Sequence, residues 1–305
     1  MLKYTVQRLF LAVAVALTVS AISFFLLRLS SDLARTLAGQ NATAEQVENI
    51  RQAYGLNRPL ITQYFDWLGG IFSGDFGRSF YFRKPTADLI LERLPTTLLL
   101  GFLSLLVAVI VAVPFGVAAA VHRNSLVDRL ALTFSALGQS MPSFWIALLM
   151  ISAFGVSLRW LPISGTGSWL NFIMPVAALA FAAQPAILRL TRAGMIEALG
   201  TNYIRTARAK GLPRSLVLFK HALRNALLPV VTVSAVQLGQ LVGGSVVIES
   251  IFAIRGIGYL AWESILRTDF PVIQSILLIV SVIYVLLTLV SDLLSALLDP
   301  RLRNL

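Results

Sequence analysis

An all-α integral membrane protein with six spans is the fold class this sequence predicts, and three observations carry it. Hydrophobic residues make up 57% of the chain and charged residues only 13%, where a soluble domain carries about 25% charged residues. Apolar runs long enough to cross a hydrocarbon core of about 30 Å recur along the chain. The bases cluster in short segments between those runs, and the positive-inside bias turns that clustering into an orientation. The net charge of +11 therefore reads as topology and contact with bilayer headgroups. Nucleic acid is excluded as its partner, because the bases lack the interleaved aromatics of a nucleic-acid groove. Cysteine is absent, so no disulfide, thiol nucleophile or Cys-based metal site enters, and no metal site is expected.

Lys3 and Arg8 precede residues 9–27, nineteen positions without a charge. Residues 1–27 thus read as a cytoplasmic amino terminus followed by a retained first span, longer in its apolar core than a cleaved signal. Residues 28–95 form the long hydrophilic region, too long for the charge rule to apply, and are expected to be an external helical region. Within it Thr43 and Gln46 make a capping box that opens a helix carrying Val47, Ile50 and Tyr54 and ending at Gly55. Pro59 opens another, with Leu60, Tyr64, Trp67, Leu68 and Ile71 apolar.

Residues 96–298 hold the other five spans. The second, 96–121, is interrupted by Pro114 and Gly116 and empties into a short basic loop with His122, Arg123 and Arg129. The third, 130–154, has Pro142 in its middle. A proline in a span frees a backbone carbonyl that protein or a water-lined cavity must satisfy, so Gln139, Ser140 and Pro142 are candidates for lining a path through the membrane. The fourth, 171–188, reads as the weakest because Pro175, Gln184 and Pro185 interrupt it. The fifth, 227–248, carries Gly239, Gly243, Gly244 and Ser245 as a small face suited to close helix packing, with Gln237 and Gly243 as further path candidates. Residues 249–270 carry three acids against two bases, fitting the outside, and 271–298 form the sixth span. Asp292 is the one acid deep in a predicted span, open to a functional reading or to pairing with a basic loop residue. Residues 299–305 read as a cytoplasmic tail.

The most basic interval is 189–226, where eight Lys/Arg stand against the single acid Glu197. Thr201 is placed to cap a short helix that Gly211, Leu212 and Pro213 stop. On it Ile204, Ala207, Arg208 and Gly211 share one face, small and positively charged, which would let another protein approach closely. A second helical pattern follows with Leu216, Phe219, Leu223 and Leu227 on one side. No phosphate-binding loop is present, and no Gly-x-Ser-x-Gly or His-Glu-x-x-His, so the chain itself is expected neither to bind nucleotide nor to catalyse. His122 and His221 both fall on the predicted cytoplasmic loops.

This interval resembles the membrane permeases of bacterial ATP-driven importers, in particular the dipeptide/oligopeptide/nickel branch. With the glycine of the general signature on Gly211, Ala207 and Leu223 match, while Arg205, Thr206, His221 and Arg224 take the places of its Glu, first Ala, Ile and Pro; these departures are those of that branch. The resemblance extends to residues 139–145, Gln-Ser-Met-Pro-Ser-Phe-Trp, to residues 269–274, Asp-Phe-Pro-Val-Ile-Gln, and to residues 54–60, Tyr-Gly-Leu-x-x-Pro-Leu. It implies a type I importer permease in the bacterial inner membrane with both termini cytoplasmic. Its partners would be a second homologous permease, two cytoplasmic ATPases that handle ATP and Mg, and an external solute-binding protein. It also implies that Tyr203, Ile204, Arg205, Thr206, Ala207, Arg208, Ala209, Lys210, Gly211 and Leu212 form the ATPase-coupling loop. Di- or oligopeptides are the implied cargo, with nickel chelates or glutathione as alternatives; an ATP-independent channel or an ion-coupled carrier is the rival from another class.

Overall fold

The computed structural model describes residues 2–298 apart from Ser31 and Gln40, so the tail expected at 299–305 lies outside the described residues. Among them every regular element is a helix, and the only extended pairing is an isolated bridge between Arg78 and Pro85. Four helices are long and apolar enough to cross a membrane: α1 (Leu2–Ser30), α5 (Thr86–Val121), α8 (Leu170–Leu199) and α15 (Phe270–Leu298). Between α1 and α5 lie the shorter α2 (Leu33–Ala38), α3 (Ala44–Ala53) and α4 (Leu60–Phe72).

The third span is broken at Pro142, and a second bend precedes the fifth. α6 (Leu126–Ser140) meets α7 (Ser143–Met150), which continues as a π-helix (Ile151–Ser157), at an angle of 101°. The cause is local: Met141 is extended at φ −93° and ψ 125°, because the ring of Pro142 excludes the helical region from the residue before it. The second break, of 51°, separates residues 214–226 from α12 (Leu228–Gly244), whose first turn contains Pro229. Counting each bent pair as one crossing brings the total to six.

α8 is the centre of the bundle, packed against α5, α6, α7 and α12. The segment that reads weakest in sequence has 61% of its apolar window buried, the highest share of the four long helices. Its prolines and Gln184 lower its hydropathy because it faces protein instead of lipid. Pro185 lacks the N–H that would bond the Phe181 carbonyl, and Gly138 of α6 sits against that oxygen so closely that a Cβ would come within 2.5 Å. Gln184 donates to the Phe134 carbonyl at 3.1 Å, a second tie between α6 and α8. On the other side of α8, Gly116 of α5 lets the two backbones close to a spacing at which a Cβ would be 2.8 Å from the Leu188 carbonyl.

The capping box of α3 is present as expected, with Gln46 N donating to Thr43 Oγ1 at 3.3 Å and Thr43 N donating to Gln46 Oε1 at 2.9 Å. α4, within the region expected to be an external helical one, packs back onto α1. Its Tyr64 hydroxyl lies 2.8 Å from Ser20 Oγ, well inside the apolar run of α1, and packs edge-on against Phe24. α4 turns Ile61, Phe65 and Phe72 outward.

Candidate functional site

The basic interval begins inside a helix, not in a loop: α8 runs on through Arg189 and Arg192 to Leu199. α9 (Asn202–Ala209) follows, with Thr201 in the N-cap position, but the Thr201 hydroxyl donates backward to the Ala198 carbonyl at 2.6 Å instead of capping α9. The other end of α9 forms as the sequence predicts. Gly211 takes the left-handed conformation at φ +73°; its N–H donates to the Arg208 carbonyl at 3.0 Å, and Leu212 N donates to the Ala207 carbonyl at 3.3 Å. These two bonds are the Schellman termination that favours glycine at this position.

The small face of α9 is turned inward. Ile204 and Ala207 are buried against Met195 and Ala198 of α8 and against Val217, Ala222 and Ala226. Leu212 packs on the same cluster. This corrects the expectation that Ala207 meets another protein: its small size serves the close seating of α9 on its own chain. Tyr203, Arg205, Thr206, Arg208, Ala209, Lys210 and Gly211 are exposed, and the space where a Gly211 side chain would project is empty. The Tyr203 hydroxyl accepts from Asn225 Nδ2 at 2.8 Å, tying α9 to α11 (Arg224–Ala226).

Between α9 and α11 the chain forms α10 (Arg214–Leu216) and a π-helix (Val217–Leu223) that contains His221. The expected stripe of Leu216, Phe219, Leu223 and Leu227 assumed 3.6 residues per turn. The wider π turn moves the buried positions to Val217, Ala222 and Ala226 and leaves Phe219 63% exposed. α9 and this segment enclose an open recess of about 440 Å³ lined by Val121, Leu199, Leu212 and Leu218, with Arg208 and Arg214 at its edge. The result is a short basic helix, held rigidly on the bundle from beneath and exposed above.

The path candidates are distributed along two broken elements. Gln139 and Ser140 end α6, Pro142 follows at the bend, and all three are exposed. Gln139 Oε1 accepts from Arg189 Nη1 of α8 at 2.5 Å. Gln237 is half-buried in α12, and Gly243 is exposed near its end. Gly239 packs against Tyr284 of α15, where a Cβ would approach to 2.9 Å, so that glycine serves helix contact. Asp292 pairs with Arg8 Nη1 of α1 at 3.0 Å, not with a loop residue.

Three buried acids escaped the sequence reading, which judged acids by their place in loops. Asp128, at the first turn of α6, accepts from Arg192 Nε at 2.6 Å and Nη2 at 2.8 Å. Glu249 of α13 (Val246–Ile251) is fully buried. Its carboxylate accepts from Thr97 Oγ1 and Ser245 Oγ, each at 2.8 Å, and from Tyr259 N at 2.9 Å in the first turn of α14 (Ile257–Leu266). A carboxylate at a helix N-terminus satisfies donors that the helix leaves open. Asp269, also fully buried, accepts from Ser79 Oγ and from the N–H groups of Phe80 and Tyr81. Glycines at 256 and 258 are the one visible signal near Glu249, since a Cβ on either would run into its carboxylate.

The family model described as "Binding-protein-dependent transport system inner membrane component" matches residues 112–304, and the model of its N-terminal part matches residues 1–101. The glutathione transport system permease protein GsiC of Escherichia coli K12 is 41% identical over 99% of both chains. GsiC of Shigella flexneri serotype 5b is 40% identical over the same share. Among solved structures, the inward-facing MetNI methionine ABC transporter superposes with a TM-score of 0.59 at 20% identity, covering 69% of this chain and 96% of that one, which shows a common fold. Helix pattern, basic α9 and full-length identity converge on one conclusion: the chain belongs to the family of inner membrane components of binding-protein-dependent transport systems, as an ABC permease of the peptide/nickel type.

Proposed function

We propose that this permease is the non-catalytic half of a heterodimeric pore that imports peptides, including glutathione-like tripeptides. A second homologous permease, two ATPases acting with ATP and Mg, and an external solute-binding protein complete the complex. In this reading the end carrying α9 and both termini face the cytoplasm, and the end carrying α2, α3 and α14 faces outward. The observation that carries the reading is α9 itself: Ile204 and Ala207 anchor it to α8, while Arg205, Thr206, Lys210 and Gly211 are left exposed. A helix so fixed transmits displacement to the spans without bending. Closure of the ATPase pair on ATP moves α9 as a lever, and α8 and the broken spans shift access from one side to the other. Gln139, Ser140, Pro142, Gln237 and Gly243 are the residues we assign to the path. Glutathione as cargo draws support from the 41% identity to GsiC; nickel chelates are the alternative.

An ion-coupled carrier is disfavoured by the buried acids. Those of Asp128, Glu249 and Asp269 are occupied by donors of this chain, which leaves them no free oxygen set for a coupling ion. The test is reconstitution of the permease pair with its ATPases in proteoliposomes. Loaded binding protein should raise ATP hydrolysis and drive uptake. Uptake that persists without the ATPases would overturn the reading.

A further inference from the structure

Arg189 is a cation that no acid among the described residues neutralises. Its Nη1 donates to Gln139 Oε1, a neutral amide, and among the described residues that is its one polar partner. Gln139 lies eleven residues beyond Asp128 in α6, about 16 Å along the helix at 1.5 Å per residue. Asp128, at the loop end of α6, is clamped to Arg192 of α8. The guanidinium of Arg189 therefore reaches up α8, in the direction helical side chains lean, to a level about 16 Å from the Asp128 end of α6; with that end at the cytoplasmic boundary, as in the proposed topology, this is roughly half of a core about 30 Å thick.

The surface in front of it is small-grained on α8, while Leu137 of α6 and Phe144 and Trp145 of α7 are exposed nearer the bend. Where α5 turns outward it shows Leu99, Phe102 and Ile110. The outward face of α8 at this level shows Ala182, Ala186, Arg189 and Ala193, and α6 adds Ala136 and Ser140 beside Gln139. Small side chains leave room in front of the guanidinium. With Nη1 turned to Gln139, its Nε and Nη2 donors remain, the planar fork that matches a carboxylate at two points. Acyl chains cannot solvate this group, and an ionisable side chain at such depth marks a solute path.

We propose that Arg189, oriented by Gln139, is a binding residue for a carboxylate of the transported solute, here the carboxy terminus of a peptide, at the bend between α6 and α7. The proposal rests on the permease reading above and adds to it the chemical class of group that the path accepts. It makes transport selective for anionic over neutralised forms of the same peptide, independently of selection by the external binding protein.

The experiment uses the complete importer in proteoliposomes with two probe pairs: trialanine with its carboxy-terminal amide, and glutathione with its glycine amide. Uptake is normalised to the measured occupancy of the binding protein by each probe. Wild type should favour the acid, and Arg189→Gln should lower acid uptake at least tenfold relative to amide uptake, with Arg189→Lys retaining part of the preference. Equal loss for acid and amide would overturn the proposal. So would loss of the second permease subunit from purified Arg189→Gln and Arg189→Lys complexes, which would assign the charge to a subunit contact. Wild-type complexes that hydrolyse ATP yet take up no member of either pair would instead overturn the peptide reading.

Discussion

Asp128 and Arg192 join α6 to α8 by a two-point ion pair, Nε to Oδ1 at 2.6 Å and Nη2 to Oδ2 at 2.8 Å, with the aspartate almost completely buried. The loop that precedes α6 is tied in as well, since Asn124 N donates to the same carboxylate at 2.9 Å. Removing either partner leaves a buried charge alone, a loss of about 3 kcal/mol. Arg192→Ala should therefore lower the thermal unfolding midpoint of the detergent-solubilised permease by several degrees, and Asp128→Ala should lower it similarly. The double variant should be less destabilised than the sum of the two. Strictly additive losses would show that the pair is not coupled.

Thr97 sits between two helices it does not belong to, donating to Glu249 Oε1 and accepting from Ile257 N, both at 2.8 Å. Thr97→Val keeps the shape and removes both bonds, leaving a buried N–H without an acceptor at a cost of about 1–3 kcal/mol. Thr97→Ser should recover most of that loss. Protease nicking of the 252–258 segment would report the loosening, and a valine variant as resistant as wild type would refute the role given to Thr97.

Gly211 offers a matched pair of substitutions with Gly39. Both have positive φ, +73° and +90°, and neither has a neighbour where a side chain would project. Backbone strain applies to both, about 1–2 kcal/mol at the left-handed Gly211 and about 1–3 kcal/mol at Gly39, whose ψ of 164° places it in a region essentially reserved for glycine. Gly211→Trp should abolish stimulation of ATP hydrolysis by loaded binding protein, whereas Gly39→Trp should retain it. Full stimulation in the Gly211 variant would remove α9 from the coupling pathway and direct attention to the loop at His122.

Asn49 and Ser215 are exposed, and the proposed topology puts them on opposite sides of the membrane. In this cysteine-free chain, Asn49→Cys should label only from outside the cell and Ser215→Cys only from within. Labelling of both by one impermeant reagent applied to intact cells would contradict the orientation.

Much of this structure was legible where the determinants are local. The capping box at Thr43, the stop at Gly211 and the apolar length of α1 and α15 depend on residues a few positions apart. The 101° bend was visible only as a proline, because the angle depends on what α6 and α7 pack against. Phe219 was misassigned because a π turn changes the period without a local signal. Glu249 was passed over for a different reason: its partner Thr97 is 152 residues away, and burial set by so distant a contact leaves no trace in a window of neighbours. Arg189 was read as the start of a loop, since a charge ends an apolar run whether or not the helix continues.

The clasp at Asp269 carries a consequence for how the molecule is made. Ser79 leaves the ribosome 190 residues ahead of the carboxylate that holds it, and Phe80 and Tyr81 wait for the same group. The segment synthesised early is thus the one secured late, after every helix but the last has been made. Until then the turn rests on its local bonds, Ser79 N to the Lys84 carbonyl and Thr86 N to the Gly77 carbonyl, and a chain truncated before residue 269 leaves the Phe80 and Tyr81 donors to water. Protection of Phe80 and Tyr81 from exchange or protease should accordingly begin only once the helix after Asp269 has joined the bundle.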